Sequence, residues 1–143
     1  MTEFLLEIIT PSQVAYSDQV SMVTAPSASG IIGILAHHMP LFSRLIEGEL
    51  IIKKGKEETY FAIGGGFVQV TNQKVTILVT SAYNSDEMNE QEVLTAKKRA
   101  EEALKEKTEE KDYLEAQAAF RRSVIALKVL HRRRTQKHLP SVS

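Results

Sequence analysis

Three groups of residues in this chain have the types and spacing that could do chemistry. They are the pair His37-His38, the run Gly64-Gly65-Gly66, and seven basic residues from Arg121 to Lys137 with no acidic residue among them. The histidine pair raises the question of a metal. Adjacent side chains on extended backbone point apart, and no cysteine or nearby acidic cluster completes a ligand set. No metal is expected. The three glycines raise the question of a phosphate cradle, which should lie between a strand and a helix. Here Phe67-Val68-Gln69-Val70 continues as strand, so the glycines are expected to permit a bulge or a close backbone approach. The basic run compensates a helix dipole and aids solubility, or it faces an acidic partner. Nucleic acid is disfavoured, because no aromatic residues interleave the basic ones and the preceding turns are acidic. No nucleophile elbow, HExxH, Walker motif or paired catalytic carboxylates occur, so no catalytic residue and no cofactor are expected.

The elements that must position these groups change character near residue 84. Residues 1–84 hold all seven glycines and three of the four prolines, with many Val, Ile, Thr, Phe and Tyr. From Ser85 to Lys137 there is neither glycine nor proline, and Glu, Lys, Ala, Arg and Leu dominate. This predicts an α+β chain, with an antiparallel β-sandwich over 1–84 and a helical hairpin over 85–137. The end of the chain, from Thr135 and above all over 138–143, is expected to be a disordered tail.

Short strands are predicted at Phe4–Thr10, Val14–Tyr16, Gln19–Ala25 (ended by Pro26), Ile31–Leu35, Phe42–Ile46, Glu49–Lys53, Thr59–Ile63, Phe67–Val70 and Lys74–Thr80. The last two form a hairpin around Thr71-Asn72-Gln73. With no helical stretch between strands, parallel crossovers have nothing to run through. In the second part, Asn89 followed by Glu92 reads as a helix N-cap with a reach-back carboxylate. Val93, Ala96, Ala100, Ala103 and Lys107, broadened by Leu104, make one helical stripe. Thr108 is the expected next cap, followed by acidic residues in a first turn. Tyr113, Ala116, Phe120, Val124, Leu127 and Leu130 make the second stripe. A seam so rich in alanine supplies little apolar area, so the hairpin should be weakly docked and able to open toward a better partner.

Length and charge set the outer bounds. The 143 residues suffice for one ordinary domain or two small ones. Eighteen basic residues balance eighteen acidic ones, so no global pull toward nucleic acid or anionic lipid exists. The split is nearly even, five basic and seven acidic residues before Ser85, thirteen and eleven after it. The start, MTEFLLEIITPSQ, lacks a basic n-region and is broken by Glu7 and Pro11, unlike a signal peptide. No stretch approaches the roughly 18 apolar residues of a membrane span.

Six blocks, in order and spacing, then carry a resemblance: LEIITP at 6–11 with VAYSD at 14–18, GIIGILAHHMPLF at 30–42, EGEL at 47–50, FAIGGGFVQV at 61–70 and KVTILVTSA at 74–82. The sequence resembles the epsilon subunit family of F-type ATP synthases over nearly its whole length. That resemblance implies a non-catalytic rotor subunit. Its β-sandwich would bind the central-stalk gamma subunit and the top of the membrane c-ring. Its helical hairpin would lie folded or extend along gamma, restraining ATP hydrolysis through the beta subunit of the catalytic head. The place implied is peripheral, on the cytoplasmic face of the bacterial cell membrane, without insertion. Two other function classes remain at this stage: a stand-alone β-sandwich adaptor with a coiled-coil arm, and an ATP-sensing regulator.

Residue by residue, the resemblance implies the following. His38 matches the histidine of a GILPGHAPL-type loop near the c-ring and implies a polar contact there; the plainer reading is a histidine bonded to its own loop. Ile31 stands where some relatives carry an acidic c-ring contact, which an apolar residue cannot make in the same way. Ala36 and His37 replace a Pro-Gly pair, so the loop should be shaped differently. Gly64, Gly65, Gly66 and Phe67 lie in the sandwich near the gamma-binding surface. Some relatives bind ATP on the folded hairpin through an I/L-D-x-x-R-A motif. Met88-Asn89-Glu90-Gln91-Glu92-Val93 lacks its aspartate and puts glutamate where the arginine belongs, which would repel phosphate. Only Arg99 and Arg122 remain as a remnant of that nucleotide site, so tight ATP binding is not expected. Arg121, Arg122, Lys128, Arg132, Arg133 and Arg134 are the candidate inhibitory contacts to an acidic surface of the beta subunit.

Overall fold

Period-two alternation builds the first unit. In a computed structural model, which describes residues 2–106 and 110–138 (the side chains of 110, 111 and 133–138 apart), the chain divides into two compact units, Met1–Asn84 and Ser85–Ser143. The first holds ten strands: β1 (Phe4–Ile9), β2 (Val14–Val20), β3 (Met22–Ser27), β4 (Gly30–Leu35), β5 (Leu41–Leu45), β6 (Gly48–Lys54), β7 (Glu57–Ile63), β8 (Gly66–Val70), β9 (Lys74–Val79) and β10 (Ala82–Asn84). They join in the order β10-β7-β6-β3-β5-β8-β9-β1-β2, with β4 attached to β3. Leu6 and Ile8 of β1, Val23 and Ala25 of β3, Leu50 and Ile52 of β6, Phe61 and Ile63 of β7, and Ile77 and Val79 of β9 point inward at every second position into one core. Each fully buried aliphatic or aromatic side chain contributes roughly 1.5–3 kcal/mol. Tyr16 meets Phe61 edge to face, centroids 5.8 Å apart at 83°.

Several strands differ from the expectation. β2 runs on to Val20, and β3 starts at Met22 and carries Pro26 inside it instead of ending before it. Pro26 falls where β3 passes from its last pair with β6, Thr24↔Ile51, to its pair with β5, Ser27↔Leu45. Its carbonyl accepts from the Ile46 N–H, on the side of β3 where its own missing N–H would have pointed, and so the strand continues to Ser27. β10 is an additional strand that composition did not reveal. It is only three residues long and is held by pairing with β7 through Ala82↔Ile63 and Asn84↔Phe61. Not every pairing is antiparallel: β1 and β9 run parallel, with Leu6↔Val75 and Ile8↔Ile77. No crossover helix is needed, because the whole intervening sandwich makes the connection.

On the surface of this unit Lys54 donates to Asp18 at 2.8 Å. The bond from Lys54 and one from the Gln19 N–H hold the Asp18 carboxyl below its ordinary value, and Asp18 in turn raises the Lys54 ammonium. Burial pushes the Tyr16 phenol up.

The second unit opens with a 3₁₀ turn at Ser85–Glu87, followed by α1 (Glu90–Lys105) and α2 (Glu110–His138). Asn89 caps α1, its side-chain oxygen accepting from the Gln91 and Glu92 N–H groups at 2.9 and 3.4 Å. Thr108 and Lys107 lie outside the described residues. α2 continues through Thr135–Lys137, within the span expected for the hairpin, and one residue further to His138; 139–143 lie outside the described residues. Each stripe holds for most of its described members and departs from expectation at single positions. On α1, Val93, Ala100, Ala103 and Leu104 take the covered side as expected, while Ala96 is exposed and Lys97 is partly covered. On α2, Tyr113 and Val124 are exposed, and Ser123 is buried in line with Ala116, Leu127 and Leu130. Ser123 tolerates burial because its hydroxyl donates to the Ala119 carbonyl at 3.0 Å.

Candidate functional site

The outward registers of β5, β8, β9, β1 and β2 carry apolar side chains where alternation should place polar ones. β8 buries Val68 and Val70 and turns Phe67 and Gln69 outward; β9 buries Val75, Ile77 and Val79 and turns Lys74, Thr76 and Leu78 outward. Phe67 pairs with Leu78, Leu78 with Ile9, and Ile9 with Val14. Phe42 of β5 stacks on Phe67, centroids 5.3 Å apart and planes 18° apart. Phe42 is 67% exposed, Phe67 and Leu78 45% each, and Val14 57%. The result is an apolar strip across five strands, exposed at Phe42, Phe67, Leu78 and Val14 and half-buried at Ile9. A polar row flanks it on the same face, where Gln69 pairs with Thr76, Thr76 with Glu7 and Glu7 with Ser17. Apolar area of this kind with a polar border marks an interaction surface.

Of the residues singled out from sequence, only Phe67 belongs to this strip. The strip's other members, Phe42, Leu78, Ile9 and Val14, were missed. The available signal was a large apolar residue in the polar register of several strands at once, as with Leu78 in KVTILV.

Gly64, Gly65 and Gly66 form the corner where the chain passes from β7 to β8. The Gly64 N–H donates to the Ser81 carbonyl at 2.9 Å, and the Thr80 N–H to the Gly65 carbonyl at 3.1 Å. The segments 63–66 and 79–82 thus stay paired while both turn from the β7–β10 pair to the β8–β9 pair. A Cβ at Gly66 would lie 1.9 Å from the Leu78 carbonyl oxygen, and one at Gly64 2.2 Å from Thr80 Oγ1, whereas one at Gly65 would meet nothing nearer than 3.6 Å. Close approach of another strand's backbone accounts for Gly66 and of the Thr80 and Ser81 hydroxyls for Gly64, and the corner sets Phe67 at the start of β8.

Ile31 and His38 fall at opposite ends of β4. Ile31 follows Gly30, which pairs with Ser27, and Ser27 pairs with Leu45, the partner of Gly66. Ile31 therefore shares an end of the sandwich with the glycine corner. His38 lies beyond Leu35, and the Leu35 carbonyl accepts from the His38 N–H at 3.2 Å. His37 has φ of 63°, a left-handed turn that the substituted loop uses in place of Pro-Gly. The His38 ring Nδ1 and the Met39 carbonyl are 2.8 Å apart, the own-loop contact weighed above. Ala36, His37 and His38 face Thr71, Asn72 and Lys74 across a surface cleft of about 240 Å³. Among the described residues no three His, Cys, Asp or Glu side chains gather in a metal-binding group.

In the second unit, the seam between α1 and α2 is thin. Ala100 and Ala116 are its most buried members near the middle, with Leu127 and Leu130 further along α2. The Lys97 ammonium lies 5.8 Å from the centre of the Phe120 ring, and Glu90 Oε1 lies 3.8 Å from His131 Nε2. Arg99, Arg121, Arg122, Lys128 and Arg132 are all exposed. Arg133 and Arg134 lie on α2, and their side chains are outside the described residues. Among the described residues no helix is long and apolar enough to cross a membrane.

Residues 3–85 match the family model for the ATP synthase, Delta/Epsilon chain, beta-sandwich domain, and residues 86–130 the model for the ATP synthase, Delta/Epsilon chain, long alpha-helix domain. The ATP synthase epsilon chain of Herpetosiphon aurantiacus is 39% identical over 132 residues, covering 92% of this chain and 97% of the relative. That of Natranaerobius thermophilus is 40% identical over 124 residues, covering 85% and 88%. A chain in the cryo-EM structure of the Euglena gracilis mitochondrial ATP synthase (OSCP/F1/c-ring) aligns with a TM-score of 0.65 at 20% identity, covering 96% of this chain and 83% of that one. At that identity the likeness is one of fold.

Proposed function

This chain belongs to the delta/epsilon chain family of ATP synthases, and from that premise we propose that it is the non-catalytic rotor-stalk subunit of an F-type enzyme. In this reading the sandwich joins the gamma subunit to the c-ring, and the helices restrain ATP hydrolysis. The observation that carries it is the apolar strip from Phe42 and Phe67 to Val14, a surface suited to a stable protein partner. Gamma is the partner assigned to the strip. The c-ring is assigned to the ends of β4, with Ile31 meeting it through apolar contact and His38 through its imidazole. The glycine corner of Gly64, Gly65 and Gly66 supports the strip through Phe67.

The hairpin supports the regulatory half of the proposal. Its alanine-lined seam gives the two helices little reason to stay together when a larger surface is offered. The basic face of α2, with Arg121, Arg122, Lys128, Arg132, Arg133 and Arg134, then steers toward an acidic surface on the beta subunit. Arg99 and Arg122 are assigned no nucleotide. The subunit acts from the periphery of the membrane sector, on the cytoplasmic face, and performs no reaction of its own.

The decisive experiment compares the full chain with residues 1–84 on the reconstituted complex. Loss of 85–143 should leave gamma binding intact and raise ATPase activity. Unchanged or lower activity would overturn the inhibitory role, and failure of 1–84 to bind gamma would overturn the stalk assignment.

A further inference from the structure

β4 is an edge strand, and the directions of its backbone groups follow from Pro26. The Pro26 carbonyl accepts from the Ile46 N–H, and the Ala28 N–H donates to the Arg44 carbonyl. Pro26 and Ala28 therefore face β5, away from β4. In an antiparallel ladder each residue's N–H and C=O point the same way, and successive residues alternate. So Ser27, Ala25 and Val23 bond to β4 through their partners Gly30, Ile32 and Ile34. The partners of Pro26, Thr24 and Met22, which are Ile31, Gly33 and Leu35, turn their backbone groups outward. Among the described residues β4 pairs with β3 alone. One outward group is already used, the Leu35 carbonyl, which accepts from the His38 N–H and retains a second lone pair.

The side chains at this edge are equally bare. Ile31 is 79% exposed and Leu35 57%. Natural edge strands are commonly guarded by Lys, Pro or an inward charge. No Asp, Glu, Lys or Arg occurs anywhere from Gln19 to Ser43, so this edge has no charged guard.

We propose that β4 pairs with β4 of a second copy of this chain, antiparallel about a two-fold axis at Gly33. The register is self-complementary. Gly33 faces Gly33 of the copy, and Ile31 faces Leu35 of the copy on both sides of the axis. Every outward N–H then meets an outward carbonyl, and the exposed Ile31 lies beside an exposed Leu35 on the same face. The absence of charge matters most here, because an edge meeting itself would otherwise set like charges together. Gly33 at the centre adds no side chain to separate the strands. The pairing rests on the geometry of β4 alone, and it would cover Ile31, so a paired copy cannot use that residue toward a rotor partner.

The test uses the full chain in sedimentation velocity over about a hundredfold range of concentration. One strand pair is a small interface, so wild type should shift from monomer toward dimer only at the upper end. Ile31→Lys should weaken association by about tenfold or more, since a lysine then lies against Leu35. Adding Leu35→Glu to it should restore association by pairing Lys with Glu across the axis, and that restoration should fade with salt. A second readout is independent of these charges. The chain has no cysteine, so Gly33→Cys should oxidise to a covalent dimer, while Asn72→Cys in the exposed β8–β9 turn should not. A Cβ at Gly33 meets only the mobile end of Met22, at 2.9 Å. A wild type monomeric throughout, association indifferent to Ile31→Lys, failure of the double variant to restore it, or equal crosslinking at positions 33 and 72 would each overturn the proposal.

Discussion

Phe61 in β7 and Ala100 in α1 are similarly hidden from water, at 1% and 5% exposed, yet the units they anchor are built differently. Phe61 belongs to one buried cluster of large side chains, Leu6, Ile8, Leu50, Ile52 and Ile77 among them. Around the middle of the helical seam lie alanines, one serine and partly covered side chains such as Phe120. Dispersion and hydrophobic burial scale with the atoms brought together. The sandwich is therefore suited to hold a partner without changing shape. The helical unit has shallower internal contacts and long polar side chains, and is suited to exchange one set of neighbours for another.

The largest expected effect lies in the sandwich core. Phe61→Ala should destabilise the β unit by about 3–5 kcal/mol, read by urea denaturation with amide exchange resolved in each unit. Leu127→Ala in the seam should cost roughly 2 kcal/mol, confined to the helices. Equal losses in both units would break the comparison. Next comes the glycine corner. Gly66→Ala forces a methyl onto the Leu78 carbonyl and should cost about 1–3 kcal/mol, while Gly65→Ala should stay within about 0.5 kcal/mol. Thermal melts of the two variants sharpen the claim that the corner is rigid by necessity.

A smaller effect is expected from the charge of α2. Replacing Arg132, Arg133 and Arg134 by Glu should relieve inhibition of ATPase activity several-fold at low salt, and less as salt screens the charges. Relief independent of salt would mean that packing, not steering, is at work. The smallest effect belongs to the Asp18–Lys54 pair, whose side chains are about half exposed at the surface. Asp18 is lowered, so its contribution is present above the ordinary carboxylate value of 3.8 and fades as pH falls through the folded value. Lys54 is raised, so its contribution is present below 10.5 and is lost as pH rises through the folded value. The difference between wild type and Asp18→Asn should be slight at neutral pH and close at both extremes. A difference that persists at acid pH would assign Asp18 some other role.

Much of the fold was legible because its signals are local. The loss of glycine and proline after residue 84 marks the boundary between units that the structure also shows at Asn84. Asn89 caps α1 where expected, since a side-chain acceptor beside two free N–H groups needs nothing beyond its own turn. The hairpin around Thr71-Asn72-Gln73 joins β8 to β9 for the same reason. Signals that depend on a neighbour misled. Pro26 reads as a stop until its place between two partner strands is seen, and Tyr113 and Val124 fit a helical stripe yet lie exposed. The interaction strip was the least legible feature, because Phe42, Phe67, Leu78, Ile9 and Val14 are spread over more than sixty residues.

The order of residues by itself determined which segments extend, which coil, where the chain changes from one to the other, and which family it belongs to. Those properties depend on side-chain type, spacing and backbone freedom within a few residues. Only the tertiary structure decided that β1 lies parallel to β9, that Gly64 and Gly66 sit against another strand's atoms, and that five outward registers align into one apolar surface. Each of these depends on register between distant strands, and a shift of one residue would turn the same side chains to the opposite face.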